Sequence, residues 1–502
     1  MTNDNNTPTE NRSAGRIILR NTLFGVGSQI ALRIVSFLFQ IFVIRTLGDA
    51  EFGTYNVIIS WVSYFQVLGD LGITQYFRRE IARDRSATGR YFWDMVVLRL
   101  LLAVVTSIVT IGSAFIFLTP YSSEKLLAIA LFCGTYFFQA FLYPLLMVIE
   151  GNERVDISQM FNVIGQIVIL IAGFILVSIS KSFFWLIIAG FINIPVLIFL
   201  AYRVVKRNNF GPPSFHINRS MWWGILQYGL PFGLIQFALT SNRFADRIVL
   251  NQFQFSAAEI GWYSIAYNLT LNFTTLAQAF NDAFQPTLAR EHAGDPTKAP
   301  RWYFRSVKMM LFLALPIAIG GMLLSEPLIS TLYKPQNRAA YIAFFIIIWD
   351  LPAVLYNNFC GNMTTAIVKE RAAARINVTQ SIVNIVVNIV LIRPLGMIGA
   401  AFATVISDTY AASLFYLLFR REFGPGLGFK HLLRVLASAI GMGAVIVILH
   451  ELGINLFITI ALGVVVYLAF IWLTKAFTDE ERALIRGIVQ RVTRKIGISA
   501  QA

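Results

Sequence analysis

Arg33, Arg243 and Arg247 stand inside stretches otherwise apolar enough to cross a bilayer. A charged side chain at mid-bilayer costs at least about 2.5 kcal/mol, so such residues face a protein interior or a wet cavity. Each belongs to a polar stripe. Thr22, Gln29, Arg33, Ser36 and Gln40 share one helical face, and Gln236, Thr240, Arg243 and Arg247 share another. Asn56, Ser60, Ser63, Asp70 and Thr74 make a third stripe, and Ser264, Asn268, Asn272, Thr275, Gln278 and Asp282 a fourth. Stripes this long cannot face lipid, because uncompensated polar groups there are costly, so they are predicted to face one another or water. A wet cavity lined by arginines suits an anion, and guanidinium forks match the oxygen pairs of a phosphate. For the Ser, Thr and Asn residues taken singly, hydrogen bonding between packed helices is the competing reading.

Acidic residues could complete such a site. Asp246 is the acid nearest the arginines, while Asp70 and Asp282 sit toward the expected cytoplasmic ends of their helices. Asp350 and Asp408 lie in apolar surroundings and could bind a proton or a cation, or pair with an arginine. Arg99 is expected to snorkel to the membrane edge. Nothing in the chain reads as a motor or a catalytic centre. There is no G-x-x-x-x-G-K-[ST] loop, no H-E-x-x-H pair and no G-x-S-x-G elbow. His216, His292, His431 and His450 are isolated, and Cys133 and Cys360 offer neither a metal spacing nor a disulfide framework. The expectation is a transporter with no metal and no cofactor, driven by a gradient such as H+ or Na+, by the membrane potential or by removal of product on the far side.

The elements that must carry these residues are membrane helices. The chain is 57% hydrophobic and 13% charged, with mean hydropathy +0.66. Apolar runs of about 20 residues recur from Asn21 to Ala476, giving about 14 transmembrane helices and an all-α integral membrane protein. Lys and Arg concentrate in alternate loops: Arg78, Arg79, Arg83, Arg85 and Arg90 follow the second run, and Arg203, Lys206 and Arg207 the sixth. That asymmetry places both termini in the cytoplasm. It also accounts for most of the net charge of +15, which in a soluble protein would suggest nucleic acid; none is expected here. No cleaved signal peptide is evident at the start.

One gap-free offset maps the first half onto the second. Phe24-Gly25 falls on Phe232-Gly233, and Glu51-Phe52-Gly53-Thr54-Tyr55 falls on Glu259-Ile260-Gly261-Trp262-Tyr263. An even number of helices separates the copies, so two six-helix lobes run in the same sense around a central cavity, with two extra helices at the C-terminal end. The expected segments are a disordered cytoplasmic stretch 1–15, an N-lobe 16–207, a linker 208–221, a C-lobe 222–421, the extra pair 422–476 and a tail 477–502. In the tail, Leu484, Ile488, Val492 and Ile496 among basic residues read as an amphipathic helix on the inner leaflet.

Arg45-Thr-Leu-Gly48-Asp-Ala-Glu-Phe52-Gly53-Thr-Tyr55, then Asp70-Leu-Gly72-Ile and a basic run to Arg85, resembles the polysaccharide-biosynthesis flippase family. So does the stretch from Asn384 and Asn388 through Arg393-Pro394-Leu-Gly396-Met-Ile-Gly399 to Ser407. This family of O-antigen and exopolysaccharide exporters shares a superfamily with multidrug extruders and lipid II flippases. The resemblance covers about residues 15–425. It implies a bilobed bundle that alternates access through a cationic cavity and flips a polyprenyl-diphosphate-linked oligosaccharide from the cytoplasmic to the outer leaflet for cell-surface polysaccharide assembly, the O-antigen of lipopolysaccharide included. Polysaccharide polymerase and glycosyltransferases are the implied partners, and the cytoplasmic (inner) membrane the implied location. On the chain's own residues the diphosphate maps onto Arg33, Arg243 and Arg247, with Gln29, Gln40, Gln236 and Asn268 beside them. The extra helix pair is shared with lipid II flippases, but the arginine-rich first helix associated with those is not evident. A cation-coupled multidrug extruder and a membrane enzyme of glycan assembly remain the alternatives.

Overall fold

The computed structural model describes residues 32–476 apart from 85–87, 119–121, 209, 211–216, 275–298, 335–336, 368 and 425–428. The expectations for Gln29, Asp282, the 1–15 segment and the 477–502 tail therefore lie outside the described residues. Every described element is a helix. In chain order these are α1 (32–47), α2 (Asp49–Gln66), α3 (Ile73–Arg83), α4 (Thr88–Phe117), α5 (Ser123–Gly151), α6 (Val155–Ser180), α7 (Phe184–Arg207), α8 (Arg219–Gln252) and α9 (257–274). They continue as α10 (Ala299–Leu323), α11 (Ser325–Leu332), α12 (Ala340–Ile347), α13 (Leu351–Ala366), α14 (Glu370–Leu395), α15 (Met397–Phe423), α16 (Phe429–Glu451) and α17 (Leu456–Leu473).

Ten spans among the described residues are long and apolar enough to cross a bilayer, α12 and α13 together counting as one. α1, described only over 32–47, is too short to be counted, while α2, α8 and α9 carry polar residues that lower their hydropathy. The third stripe is corrected: α2 ends at Gln66, so it holds Asn56, Ser60 and Ser63, whereas Asp70 lies in the following turn and Thr74 on α3. The protein is an all-helical, multi-pass membrane protein.

The chain divides into two compact units, one up to Thr240 and one from Ser241, so the division runs through α8. In the first, α5 packs on α4 and α7, and α6 packs on α7, around Phe92, Val96, Leu145, Ile149, Phe161 and Leu197. In the second, α14 lies along α15, while α16 and α17 pair and back onto α10 around Ile319, Met442, Ile446 and Tyr467. Apolar side chains also cover the outside: Ile179 is 75% exposed and Trp472 71%. Lipid chains, not water, must solvate them.

The internal repeat is visible as one interaction made twice. Glu51, at the start of α2, accepts a hydrogen bond from the Phe183 backbone N–H at the head of α7, 3.3 Å away. Glu259, its counterpart at the start of α9, accepts from the Met397 N–H at the head of α15, at 2.9 Å. The first N–H groups of a helix have no partner within it, and a carboxylate there is favoured by the helix dipole. Gly396 makes the second cap possible: its φ is +56°, and a Cβ there would occupy the space of the Glu259 carboxylate.

Gly72 has a similar task in the first unit. Its φ is +78°, and a Cβ would sit 2.6 Å from the Gly229 carbonyl oxygen of α8. A side chain at this position must bear both the left-handed backbone and the clash. Gly72→Ala is therefore expected to lower stability by more than about 1 kcal/mol. Gly190→Ala, in α7 with nothing within 4 Å of the added carbon, should leave the melting temperature unchanged or higher. Thermal melting of the two variants in detergent checks both.

Candidate functional site

The stripe on α8 enters the second unit at Arg243, Asp246 and Arg247. Arg247 is 2% exposed. Its Nε donates to Ser264 Oγ of α9 at 3.2 Å, one terminal nitrogen donates to the Arg243 carbonyl at 2.9 Å, and the guanidinium lies 4.5 Å from the centre of the Tyr267 ring. Aromatic faces and neutral acceptors hold it; among the described residues no carboxylate bonds to it directly, although its charge bears on neighbouring Asp246. One turn earlier, Arg243 is exposed and its guanidinium lies 5.6 Å from the Phe244 ring centre. The three arginines therefore divide: Arg247 is locked inside its own unit, while Arg243 and Arg33 keep exposed surface. Arg33 has a partner of its own.

Asp246 is fully buried beside them. Its Oδ2 accepts from Tyr263 OH at 2.5 Å and Thr404 Oγ1 at 3.4 Å, and its Oδ1 accepts from Asn388 Nδ2 at 2.6 Å. Neutral donors satisfy the carboxylate, as burial of a charge requires. Asn388 belongs to a ladder on α14. Gln380, Asn384 and Asn388 recur every fourth residue, which places them on one face. Asn388 Nδ2 also donates to Asn384 Oδ1 at 3.0 Å, and Asn384 Nδ2 donates to Ser407 Oγ of α15 at 3.1 Å. Gln380 Nε2 donates to Asp408 Oδ1 at 2.6 Å. Asn357 Nδ2 of α13 reaches the same oxygen at 3.3 Å and the Asp408 backbone carbonyl at 2.9 Å. Asp350 meets Asp408 at this end, carboxyl to carboxyl.

The first unit is built differently. Asp70 pairs with Arg99 of α4 and accepts from Thr74 Oγ1 at 2.6 Å. Arg99 also donates to Thr74 Oγ1 at 2.5 Å and lies 4.8 Å from the Tyr143 ring centre. The snorkelling expected of Arg99 is thus corrected: it is 6% exposed, because a carboxylate and a hydroxyl take its donors inside the bundle. Asp70 neutralises that arginine.

The expectation that the stripes face one another or water also needs correction for several residues. Asn56 and Ser60 are buried on α2 and donate to carbonyls one turn back, Phe52 O at 2.8 Å and Asn56 O at 2.6 Å. A short polar side chain can satisfy itself on its own helix, so it needs no cavity. Gln236 is exposed, and Gln40 and Asn268 are half-buried. The sequence reading passed over Gln380, Asn384 and Asn388 as site residues, although amides at every fourth position of an apolar helix give the same signal that marked α1 and α8.

Residues 18–292, more than half of the chain, match the family model described as polysaccharide biosynthesis protein. The chain belongs to the polysaccharide biosynthesis protein family. Residues 228–472 match a second model, that of the lipid II flippase MurJ. Among curated relatives of this polysaccharide biosynthesis family member, the probable flippase AglR of Haloferax volcanii is 24% identical over 412 residues, 79% of this chain and 82% of that protein. A probable low-salt glycan biosynthesis flippase of the same archaeon is 21% identical over 409 residues, covering 79% of this chain and 80% of the relative. Among solved structures, the lipid II flippase MurJ in an inward closed conformation superposes with TM-score 0.76 at 16% identity, covering 89% of this chain and 98% of that one. An inward-facing multidrug resistance MATE family transporter of the MOP superfamily gives TM-score 0.66 at 15% identity, over 78% and 94% of the two chains. These likenesses establish the fold. The relatives are transporters, and the family member described here is not an enzyme.

The Asp246 arrangement has a direct consequence for stability. Asn388→Leu removes the donor to Asp246 Oδ1 from a site water does not reach. The expected cost is about 2 kcal/mol, the range for a hydrogen bond to a charged group. A melting temperature equal to wild type would show that the carboxylate does not depend on this amide.

Proposed function

We propose that this protein flips a polyprenyl-diphosphate-linked oligosaccharide from the inner to the outer leaflet of the cytoplasmic membrane, by alternating access, for assembly of a cell-surface polysaccharide such as an O-antigen. The observation that carries this reading is Arg243: an exposed guanidinium on a membrane helix, with no carboxylate pairing it among the described residues. An exposed guanidinium without a carboxylate partner is open to an anion, and its planar fork fits a diphosphate. Family membership and the flippase relatives support the same substrate class.

Arg33, exposed in the first unit, is a further phosphate candidate in this reading. Arg247, buried behind Arg243 and bonded to its backbone carbonyl, positions it rather than touching substrate. Gln29, Gln40, Gln236 and Asn268 offer amides to sugar hydroxyls. The Lys/Arg asymmetry of the loops places both termini in the cytoplasm, where glycosyltransferases supply the substrate. A polymerase on the far side consumes it. A proton or sodium gradient supplies the drive, with the acids Asp246, Asp350 and Asp408 as the coupling candidates. These buried acids also suit a cation-coupled extruder of small organic molecules, the second reading; the MATE-like fold is compatible with either.

The lipid tail has a matching feature. An apolar cavity of about 370 Å³ lies between α10, α16 and α17, lined by Phe312, Pro316, Gly320, Met442, Ile446 and Tyr467 among others. Such a cavity takes a hydrocarbon chain and rejects a polar one.

Reconstitution in proteoliposomes, with outer-leaflet arrival of a polyprenyl-diphosphate glycan as the readout, tests the reading. Arg243→Ala and Arg33→Ala should each slow flipping about tenfold, equivalent to about 1.4 kcal/mol, with normal insertion. Unchanged rates in both would remove the phosphate assignment, and export of a cationic dye without glycan movement would favour the extruder. Gly320→Phe, which fills the apolar cavity, is expected to slow glycans on long prenyl chains more than those on short ones. Equal slowing would detach the cavity from the tail.

A further inference from the structure

The helical span 340–365 is broken where its charge lies. α12 ends at Ile347, a 3-10 turn covers Ile348–Asp350, and α13 begins at Leu351 with Pro352 in its first turn. Proline has no N–H and crowds the carbonyl four residues back, so the break is local chemistry. It delivers Asp350, 6% exposed, against Asp408 of α15.

Donors and acceptors at this point do not balance. Asp408 Oδ1 accepts from Gln380 and from Asn357. Asp350 Oδ1 has no hydrogen-bond partner, and Asn357 Oδ1, buried beside it, has none either. Two carboxyl groups in contact are all acceptor when both are ionised, and a pair this close cannot ionise twice. α8 contributes Asp246 together with Arg247 and Arg243, and α9 contributes Tyr267, on whose ring the Arg247 guanidinium rests at 4.5 Å; these arginines bear on Asp246 and Tyr267, and among the described residues none forms an ion pair with Asp350 or Asp408. α10 meets the turn with Ala314, Ile317 and Gly321. On α13, Tyr356 bonds away to Tyr303 at 2.6 Å. α14 and α15 offer Gln380, Asn384, Thr404 and Ser407, all neutral.

We propose that Asp350 and Asp408 form a one-proton binding site at the break in the α12–α13 span. Asp408 is the ionised member, because two amides donate to it. Asp350 carries the proton and donates it to Asp408. Release of that proton to water leaves two adjoining carboxylates, whose repulsion separates the turn from α15 at the one place where the span is already interrupted. The site thereby links proton occupancy to the geometry of the span, and it stands whether or not the substrate is a lipid-linked glycan.

Infrared spectra of the purified full-length chain in lipid nanodiscs at neutral pH test this without substrate, so the outcome is separable from the flippase reading. The expected result is a carboxylic-acid C=O band in wild type that Asp350→Asn removes, because the introduced amide donates to Asp408 with no proton to lose. Melting temperature should fall in wild type as pH rises and the shared proton leaves, and D350N should flatten that dependence. A wild-type spectrum without the band, or a band undiminished in D350N, overturns the proposal. So does a sodium-dependent rise in melting temperature that D350N abolishes, since the occupant would then be Na+. A wild-type melting temperature independent of pH from the acidic to the alkaline side overturns it as well, and needs no variant.

Discussion

In hydrocarbon no water completes a hydrogen bond, so each polar group on a spanning helix must find its partner inside the protein. That constraint orders everything else in this chain. It explains why Asn56 and Ser60 fold back onto their own helix, why Asp246 collects neutral donors, and why the amides of α14 stand in register with acids on two neighbouring helices. A polar side chain that escapes the constraint, as Arg243 does, stands out against this background.

The same frame is used twice with different contents. Glu51 and Glu259 cap equivalent helices, so the backbone architecture of the halves derives from one plan. Their buried charges do not. In the first unit Asp70 and Arg99 close on each other, with Thr74 and Tyr143 around them, and the pair carries no net charge. In the second unit Asp246, Asp350 and Asp408 form no ion pair among the described residues and lean on amides and hydroxyls instead. A paired acid and base have little reason to exchange a proton or cation with solvent. Unpaired buried acids do, because occupancy decides their charge and their charge is expensive. Among the described residues, buried acids without an ion-pair partner are thereby concentrated in one half of a duplicated structure.

The sequence made the architecture legible because membrane helices announce themselves by length and composition, and because the repeat retains Glu51 and Glu259 at its start. The polar stripes pointed to helices that depart from simple apolarity, α2, α8 and α9 among them. What spacing could not reveal was the partner across the gap. Asp70 reads equally well as a mate for a cavity arginine or for Arg99, and only the packing of α4 beside the turn after α2 decides it. Arg247 reads like Arg33 and Arg243 until Tyr267 and Ser264 of α9 are placed around it. Hydropathy sees a charge; it does not see whether an aromatic face from another helix has closed over it.

Amides suit the space between such acids for a reason rooted in their chemistry. A carboxylate only accepts and a guanidinium only donates, whereas Asn and Gln do both from one planar group. Asn388 gives its N–H groups to Asp246 and to Asn384, and Asn384 passes on to Ser407, next to Asp408. A change of charge at Asp408 therefore alters what its immediate donors, Gln380 and Asn357, must satisfy, while Asp246 is served by Asn388 farther along the same face of α14. A lysine or arginine in place of these amides would hold each acid ionised, whereas a neutral amide can serve either state.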